Sequence, residues 1–211
     1  MSLTVLKEAA SRRGTCALIA IKARDHCKTR LAAVLPPSAR MDLVRAMLGS
    51  VVYAAQNAES VHSILVVSPE RDTLPADIPV FADTGESLNS ALMQAHRAVR
   101  ERDCHEIVVL PADLPEISPA DIDELVRAAR AGGCSIAPDA AGVGTNALCL
   151  ASPAVFQFHF GPDSRSLHLR EARRLGLNPS EVRLPGLELD VDSPSDLARM
   201  EGQPWLTRLR A

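Results

Sequence analysis

A chain of 211 residues, 46% hydrophobic and 23% charged, carries enough apolar material for one core of single-domain size. Its formal charge of −3, with both signs dispersed, and its 3% aromatic content exclude a general nucleic-acid binder and any reading built on base stacking. An anionic substrate therefore needs local cations, metal ions or helix N-termini rather than a global field. Five cysteines, Cys16, Cys27, Cys104, Cys134 and Cys149, are widely spaced without a C-x-x-C pair, which argues against zinc and disulfide frameworks. No signal-like or membrane-length apolar run is visible, so the expectation is a cytoplasmic protein with no membrane partner.

Residues 1–14 are polar and mixed and read as a loosely ordered arm. Cys16-Ala17-Leu18-Ile19-Ala20-Ile21 is the first buried strand, and it runs into a basic loop holding Lys22, Lys28 and Arg30. Such a cluster is either a solvated loop or, after the first strand of an α/β sheet, a nucleotide contact. Lys28-Thr29 lacks the glycines of a P-loop. Pro36-Pro37-Ser38 opens a helix with Leu43, Met47, Val51 and Ala54 on one stripe, ending near Asn57. Strands follow at Ile64–Val67 and Pro79–Ala82. The next helix has Leu88, Leu92, Ala95 and Val99 on its inner face, and Asn89 in its first turn is either a cap or an amide offered to a ligand base.

The central strand is Ile107-Val108-Val109-Leu110, apolar on both faces as parallel strands are, and it ends at Pro111-Ala112-Asp113. Ligand crevices of open α/β sheets lie beyond the carboxyl ends of the strands, which places Asp113 where chemistry would occur. The helix over 119–131 has its own cap in Ser118-Pro119-Ala120-Asp121, so Asp113 is not needed there. A strand over 134–139 and an antiparallel-looking insert around 144–160 come next. The Gly142-Val143-Gly144-Thr145 turn permits close backbone approach, as an ordinary hairpin turn also does. Gly161-Pro162-Asp163-Ser164 precedes a helix stopped by Gly176. Ser164 is either a plain N-cap or part of an anion site made by free backbone N–H groups.

The last informative run, Leu187-Glu188-Leu189-Asp190-Val191-Asp192, reads as a strand, which would turn Asp190 and Asp192 to one face. Neighbouring carboxylates repel unless a cation lies between them, and Ser193-Pro194-Ser195-Asp196 caps the following helix by itself. Asp113, Asp190 and Asp192 thus form a ligand set suited to magnesium. The six histidines (His26, His62, His96, His105, His159 and His168) lie mostly among polar residues and read as surface. A missing general base does not matter where the nucleophile is a phosphate monoester, whose second pKa is about 6. The whole reads as a single α/β domain over 1–211, with a mostly parallel central sheet and helices on both faces.

Six ordered motifs carry a resemblance: Lys22-x5-Lys28-Thr29-Arg30-Leu31, Ser87-Leu88-Asn89-x-Ala91, Pro111-Ala112-Asp113-Leu114-Pro115, Gly144-Thr145-Asn146-Ala147-Leu148, Phe160-Gly161-Pro162-x-Ser164 and Asp190-Val191-Asp192-Ser193-Pro194-x-Asp196-Leu197. Together, over about residues 16 to 200, they resemble the 2-phospho-L-lactate guanylyltransferase family of coenzyme F-420 biosynthesis. That family includes the phosphoenolpyruvate and 3-phospho-D-glycerate guanylyltransferases. The resemblance implies a nucleotidyltransferase (Rossmann-like) fold, GTP and a small phosphorylated carboxylic acid as substrates, Mg2+, and a downstream biosynthetic enzyme that accepts the product.

It also implies that Asp113, Asp190 and Asp192 bind metal and act in catalysis with Lys28. Lys22, Lys28 and Arg30 would face the GTP phosphates, Asn89 would lie near the nucleotide, and Thr145, Gly161 and Ser164 would hold the acid. Ser87 stands where the family has Gly, which bears on nucleotide fit. The alternatives are a molybdopterin or sugar-phosphate nucleotidyltransferase, opposed by the missing glycine-rich loop after the first strand, and a non-catalytic nucleotide-binding regulator.

Overall fold

A computed structural model describes residues 14–21, 28–69, 71, 74, 78–82, 87–152 and 154–200. The expected arm, Lys22 and Cys27 therefore fall outside the described residues. In chain order the elements are β1 (Thr15–Ala20), α1 (Pro37–Asn57), β2 (Val61–Ser68), β3 (Val80–Ala82), α2 (Leu88–Arg100), β4 (Glu106–Pro111) and α3 (Pro119–Gly132). They continue as β5 (Cys134–Pro138), β6 (Thr145–Ala151), α4 (Ser164–Arg174), β7 (Ser180–Glu181), α5 (Pro185–Glu188) and α6 (Pro194–Arg199).

The strands form one sheet in the order β3-β2-β1-β4-β6-β5-β7. β1 pairs in parallel with β2 and β4, whereas β6 runs antiparallel to both β4 and β5, as the insert around 144–160 suggested. β1 and β4 show why both faces are covered. Ala17, Ile19, Val108 and Leu110 pack into a core with α1 and α3, while Leu18, Ile107 and Val109 point the opposite way into a core with α2 and α4. Strict alternation in a strand sends successive side chains to opposite faces, so an uninterrupted apolar run requires helices on both. Each fully buried leucine or valine there contributes about 1.5–3 kcal/mol relative to exposure.

The topology fixes one edge for chemistry. The chain goes from β1 outward to β2 and β3, then returns to place β4 on the other side of β1. At that reversal the connections after β1 and β4 diverge and leave a crevice between them. Ala20 is in register with Pro111, so Asp113 emerges from this crevice. Because β6 is antiparallel to β4, its first residue, Thr145, lies at the same edge.

Both expected caps are present as reciprocal boxes. Asp121 accepts from the Ser118 N–H at 2.8 Å, and Asp196 accepts from the Ser193 N–H at 2.8 Å. Neither Asp113 nor Asp192 caps the helix that follows it. The strand expected over 187–192 is not one. Pro185 opens a short helical turn, α5, and the chain after it is extended without a ladder partner among the described residues. Leu187, Leu189 and Val191 are still buried while Glu188, Asp190 and Asp192 are half-buried. The period-2 alternation survives because core burial, rather than strand pairing, imposes it.

Candidate active site

Among the described residues, twenty-two line a cleft of about 510 Å3 at the crevice, including Lys28, Asn89, Asp113, Thr145, Ser164 and Asp190. Its first wall is charged. The Lys28 ammonium donates to Asp113 Oδ2 at 2.5 Å and to Asp192 Oδ1 at 2.8 Å, and its side chain is only 6% exposed. Burial works against the charge on Lys28, but the Asp113 and Asp192 carboxylates overcome it and raise its pKa. The Lys28 backbone is left-handed, φ 54°, a conformation that costs a non-glycine residue about 1 kcal/mol or more. The two ion pairs hold it there.

Asp113, Asp190 and Asp192 each offer an oxygen, and the three atoms lie within 4.8 Å of one another. Burial first, then the neighbouring Asp113 and Asp192, push the Asp190 carboxyl above its usual range. With all three ionised, one ammonium against three carboxylates leaves a formal excess of two negative charges. Hard oxygen donors at this spacing with that excess fit a divalent cation. Local bonds fix the run that carries two of them. Buried Asn146 donates from Nδ2 to the carbonyls of Leu187 at 2.9 Å and Glu188 at 3.2 Å, and Asp196 accepts the Asp192 N–H at 3.2 Å. Gly186 is required for close approach, since a Cβ there would lie 2.8 Å from the Glu116 carbonyl oxygen.

The second wall is neutral and built from hydrogen bonds. Asn89 grips one peptide from both sides, accepting the Phe160 N–H at 2.7 Å and donating to the Phe160 carbonyl at 3.0 Å. It therefore does not cap α2, and one N–H and one oxygen lone pair of its amide are committed to the Phe160 peptide. The cap is Ser87, whose hydroxyl accepts from the Ser90 N–H at 3.1 Å. Ser87 has φ −169°, ordinary extended backbone, so nothing in the backbone conformation at this point calls for glycine.

Asn89 thereby ties α2 to the loop that delivers Gly161 and Ser164. Gly161 has φ +132°, open to glycine alone without strain, and Asp163 in the left-handed region precedes Ser164 as the N-cap of α4. Ser164 is thus the first helical residue rather than the cap, and it is buried at the cleft.

Thr145 sits opposite, with its Oγ1 3.0 Å from His168 Nδ1. His168 corrects the expectation of surface histidines: it is wholly buried, as is His96 nearly so. Its position, four residues after Ser164 on one helix face, and the Phe156-x-Phe158-x-Phe160 alternation leading to it were readable signals. Burial, with His159 nearby, lowers the His168 pKa to about 3. Arg30 lies exposed on the 3-10 turn Thr29–Leu31 and is not among the residues lining the cleft. Cys16, Cys104, Cys134 and Cys149 are buried free thiols, as expected. Among the described residues no helix is long and apolar enough to cross a membrane.

Residues 15–202 match the family described as "Guanylyl transferase CofC like". A phosphoenolpyruvate guanylyltransferase of Rubrobacter xylanophilus is 40% identical over 190 residues, covering 88% of this chain and 92% of that protein. Among solved structures, a protein of Desulfovibrio desulfuricans G20 assigned to the nucleotide-diphospho-sugar transferases superposes with a TM-score of 0.76 at 16% identity, over 94% of both chains. A 4-diphosphocytidyl-2C-methyl-D-erythritol synthase gives a TM-score of 0.60 at 14% identity, over 90% of this chain and 98% of that one. At such identities the two structures establish the fold.

Proposed function

The chain belongs to the CofC-like guanylyl transferases, and from that premise we propose that it transfers GMP from GTP to phosphoenolpyruvate, or to the related 2-phospho-L-lactate or 3-phospho-D-glycerate, for coenzyme F-420 biosynthesis. The observation that carries the reading is the pairing, in one cleft, of a three-carboxylate cluster with a neutral wall of hydrogen-bond donors. A phosphate oxygen of the acid attacks the α-phosphorus of GTP. One P–O bond forms, the bond to the β-phosphate bridging oxygen breaks, and pyrophosphate leaves with the electron pair. The attacking phosphate, with a second pKa of about 6, is already largely dianionic at neutral pH and needs no general base.

Repulsion between two anions is then the main barrier, and this chain's residues address it. Asp113, Asp190 and Asp192 would hold Mg2+, which when bound neutralises charge on the attacking and leaving oxygens. Lys28 sits among these acids and would add a fixed positive charge beside the triphosphate. Lys22 keeps a phosphate role on the family resemblance alone, and Arg30, exposed and outside the cleft lining, is given none. Thr145, Gly161 and Ser164 would orient the acid, and the Ser87–Asn89 segment borders the nucleotide. The choice of phosphoenolpyruvate follows the relative's name.

Incubation with GTP, Mg2+ and each acid in turn, with the product identified by mass and pyrophosphate measured, tests the reading. A guanosine-diphospho-acid formed with phosphoenolpyruvate and lost on adding a chelator is the expected result. Turnover of CTP with a sugar phosphate instead would replace it with another nucleotidyltransferase activity on the same fold.

A further inference from the structure

We infer that His168 is a positioning residue for the acid site: it holds the Thr145 hydroxyl so that the hydroxyl proton points into the cleft. The inference rests on the reading above that Thr145 contacts the phosphorylated acid. It starts from a bond whose direction is not open to choice. The backbone N–H of His159 lies 2.8 Å from His168 Nε2, and a backbone N–H can only donate. Nε2 is therefore the unprotonated nitrogen. A neutral imidazole carries one proton, which must then be on Nδ1. Nδ1 lies 3.0 Å from Thr145 Oγ1, so the ring donates and the hydroxyl accepts.

That assignment decides what Thr145 offers to a ligand. With its lone pair engaged by the ring, the hydroxyl keeps its own proton for another partner, and Thr145 borders the cleft beside Gly161 and Ser164. A phosphate or carboxylate oxygen arriving there meets a donor. The opposite tautomer would take the hydroxyl proton and present lone pairs to an anion, which repel it. The surroundings keep the ring neutral. His168 is wholly buried, with Phe160 edge-on at 4.8 Å between ring centroids and Phe156 at 5.9 Å. Protonating it would also require breaking the bond from the His159 N–H. A buried histidine with both nitrogens committed in this way fixes a proton's direction without exchanging one.

Two substitutions separate the ring's two bonds. Glutamine places its amide at the Nε2 position, so His168→Gln can keep an acceptor for the His159 N–H and loses the donor to Thr145. Asparagine places its amide at the Nδ1 position, so His168→Asn keeps the donor to Thr145 and loses the acceptor. For His168→Gln we expect the KM for phosphoenolpyruvate to rise about tenfold, the worth of one lost hydrogen bond to an anion, with the KM for GTP changed less than about twofold. His168→Asn should recover most of that acid KM although it melts lower than wild type.

Thr145→Val should match His168→Gln, and the double variant should be no worse than either single one, because one contact is removed twice. Equal rises in both KM values, additive effects, or a better acid KM in His168→Gln than in His168→Asn would overturn the inference. NMR of 15N-histidine-labelled wild type reads the tautomer without any substrate. A proton on Nδ1 supports the assignment and a proton on Nε2 ends it. Should wild type form no guanosine product with any of the three acids, the functional reading falls, and the tautomer alone then decides whether His168 orients Thr145.

Discussion

The two walls of the cleft reach rigidity by opposite means. The Lys28, Asp113, Asp190 and Asp192 wall is a cluster of full charges, in which one buried ammonium faces three carboxylates and the acids repel one another. The Thr145, His168, Asn89 and Phe160 wall carries no net charge, and directed hydrogen bonds hold the Thr145, His168 and Asn89 side chains and the Phe160 peptide. The first wall stores repulsion that a cation would relieve. The second is complete by itself and needs no ion. A single cleft can thus be made ready for a metal on one side and for a small anion on the other without the two requirements competing.

The sharpest way to break this comparison is to remove charge from the first wall. Asp113→Asn or Asp190→Asn should cut turnover by about two orders of magnitude or more, since metal stabilisation of the transferring phosphoryl group is lost. The two variants should differ in stability. Asp190→Asn removes a carboxyl already raised by burial and by Asp113 and Asp192, so its melting temperature should hold or rise. Asp113→Asn also takes away an ion-pair partner of buried Lys28 and should melt lower while still folding. Normal pyrophosphate release by either variant would remove the acids from catalysis. A collapse of the fold would mean that the cluster is a structural ion-pair network.

The support beneath the charged wall is the next target. Asn146→Ala leaves the Leu187 and Glu188 carbonyls without their buried donor and should cost about 1–3 kcal/mol in urea unfolding. Because that carbonyl pair sits just before Asp190 and Asp192, turnover should fall as well. On the neutral wall, Asn89→Ala removes both bonds to the Phe160 peptide, and we expect the acid KM to rise about tenfold, roughly 1.4 kcal/mol. If the KM for GTP rises instead, Asn89 serves the nucleotide directly, and its grip on Phe160 is incidental.

The same division explains what could be read before any coordinates. β1, β4 and α1 declare themselves because a buried strand or helix face must be apolar along its own stretch of chain. Asp113 stands out because it follows a strand end and the next helix already has Ser118 and Asp121. Asp190 and Asp192 stand out through their spacing, even though the strand invoked to align them is an extended segment after α5. The neutral wall hides because its bonds join residues far apart in sequence: Asn89 reaches 71 residues to Phe160, and Thr145 reaches 23 to His168. Hydrogen-bond donors and acceptors are common in any sequence, and nothing local marks which pair will meet. A cluster of like charges is rarer, and its cost makes it conspicuous.

Acid stability distinguishes the walls by the smallest expected effect. His96 lies in the core behind the neutral wall, edge-on to Phe158, with its Nε2 buried and without a hydrogen-bond partner among the described residues. Burial, helped by Arg100, lowers its pKa to about 4, and that of His168 is about 3. An unfolded histidine titrates near 6.5, so below that pH the unfolded chain binds more protons than the folded one. Stability from both residues is therefore full above about pH 6.5 and is lost as the pH falls, by about 1 kcal/mol per residue between pH 6.5 and 5.5.

Asp190, whose carboxyl is raised by burial and by Asp113 and Asp192, acts in the opposite direction, so the absolute slope mixes the two walls. The difference between wild type and His96→Leu cancels that contribution. In urea melts the stability of wild type relative to His96→Leu should fall by about 1 kcal/mol as the pH drops from 6.5 to 5.5, whichever protein starts the more stable. Parallel slopes would show that His96 is already protonated in the folded state, or that water reaches it, and the second core would then be less dry than its packing indicates.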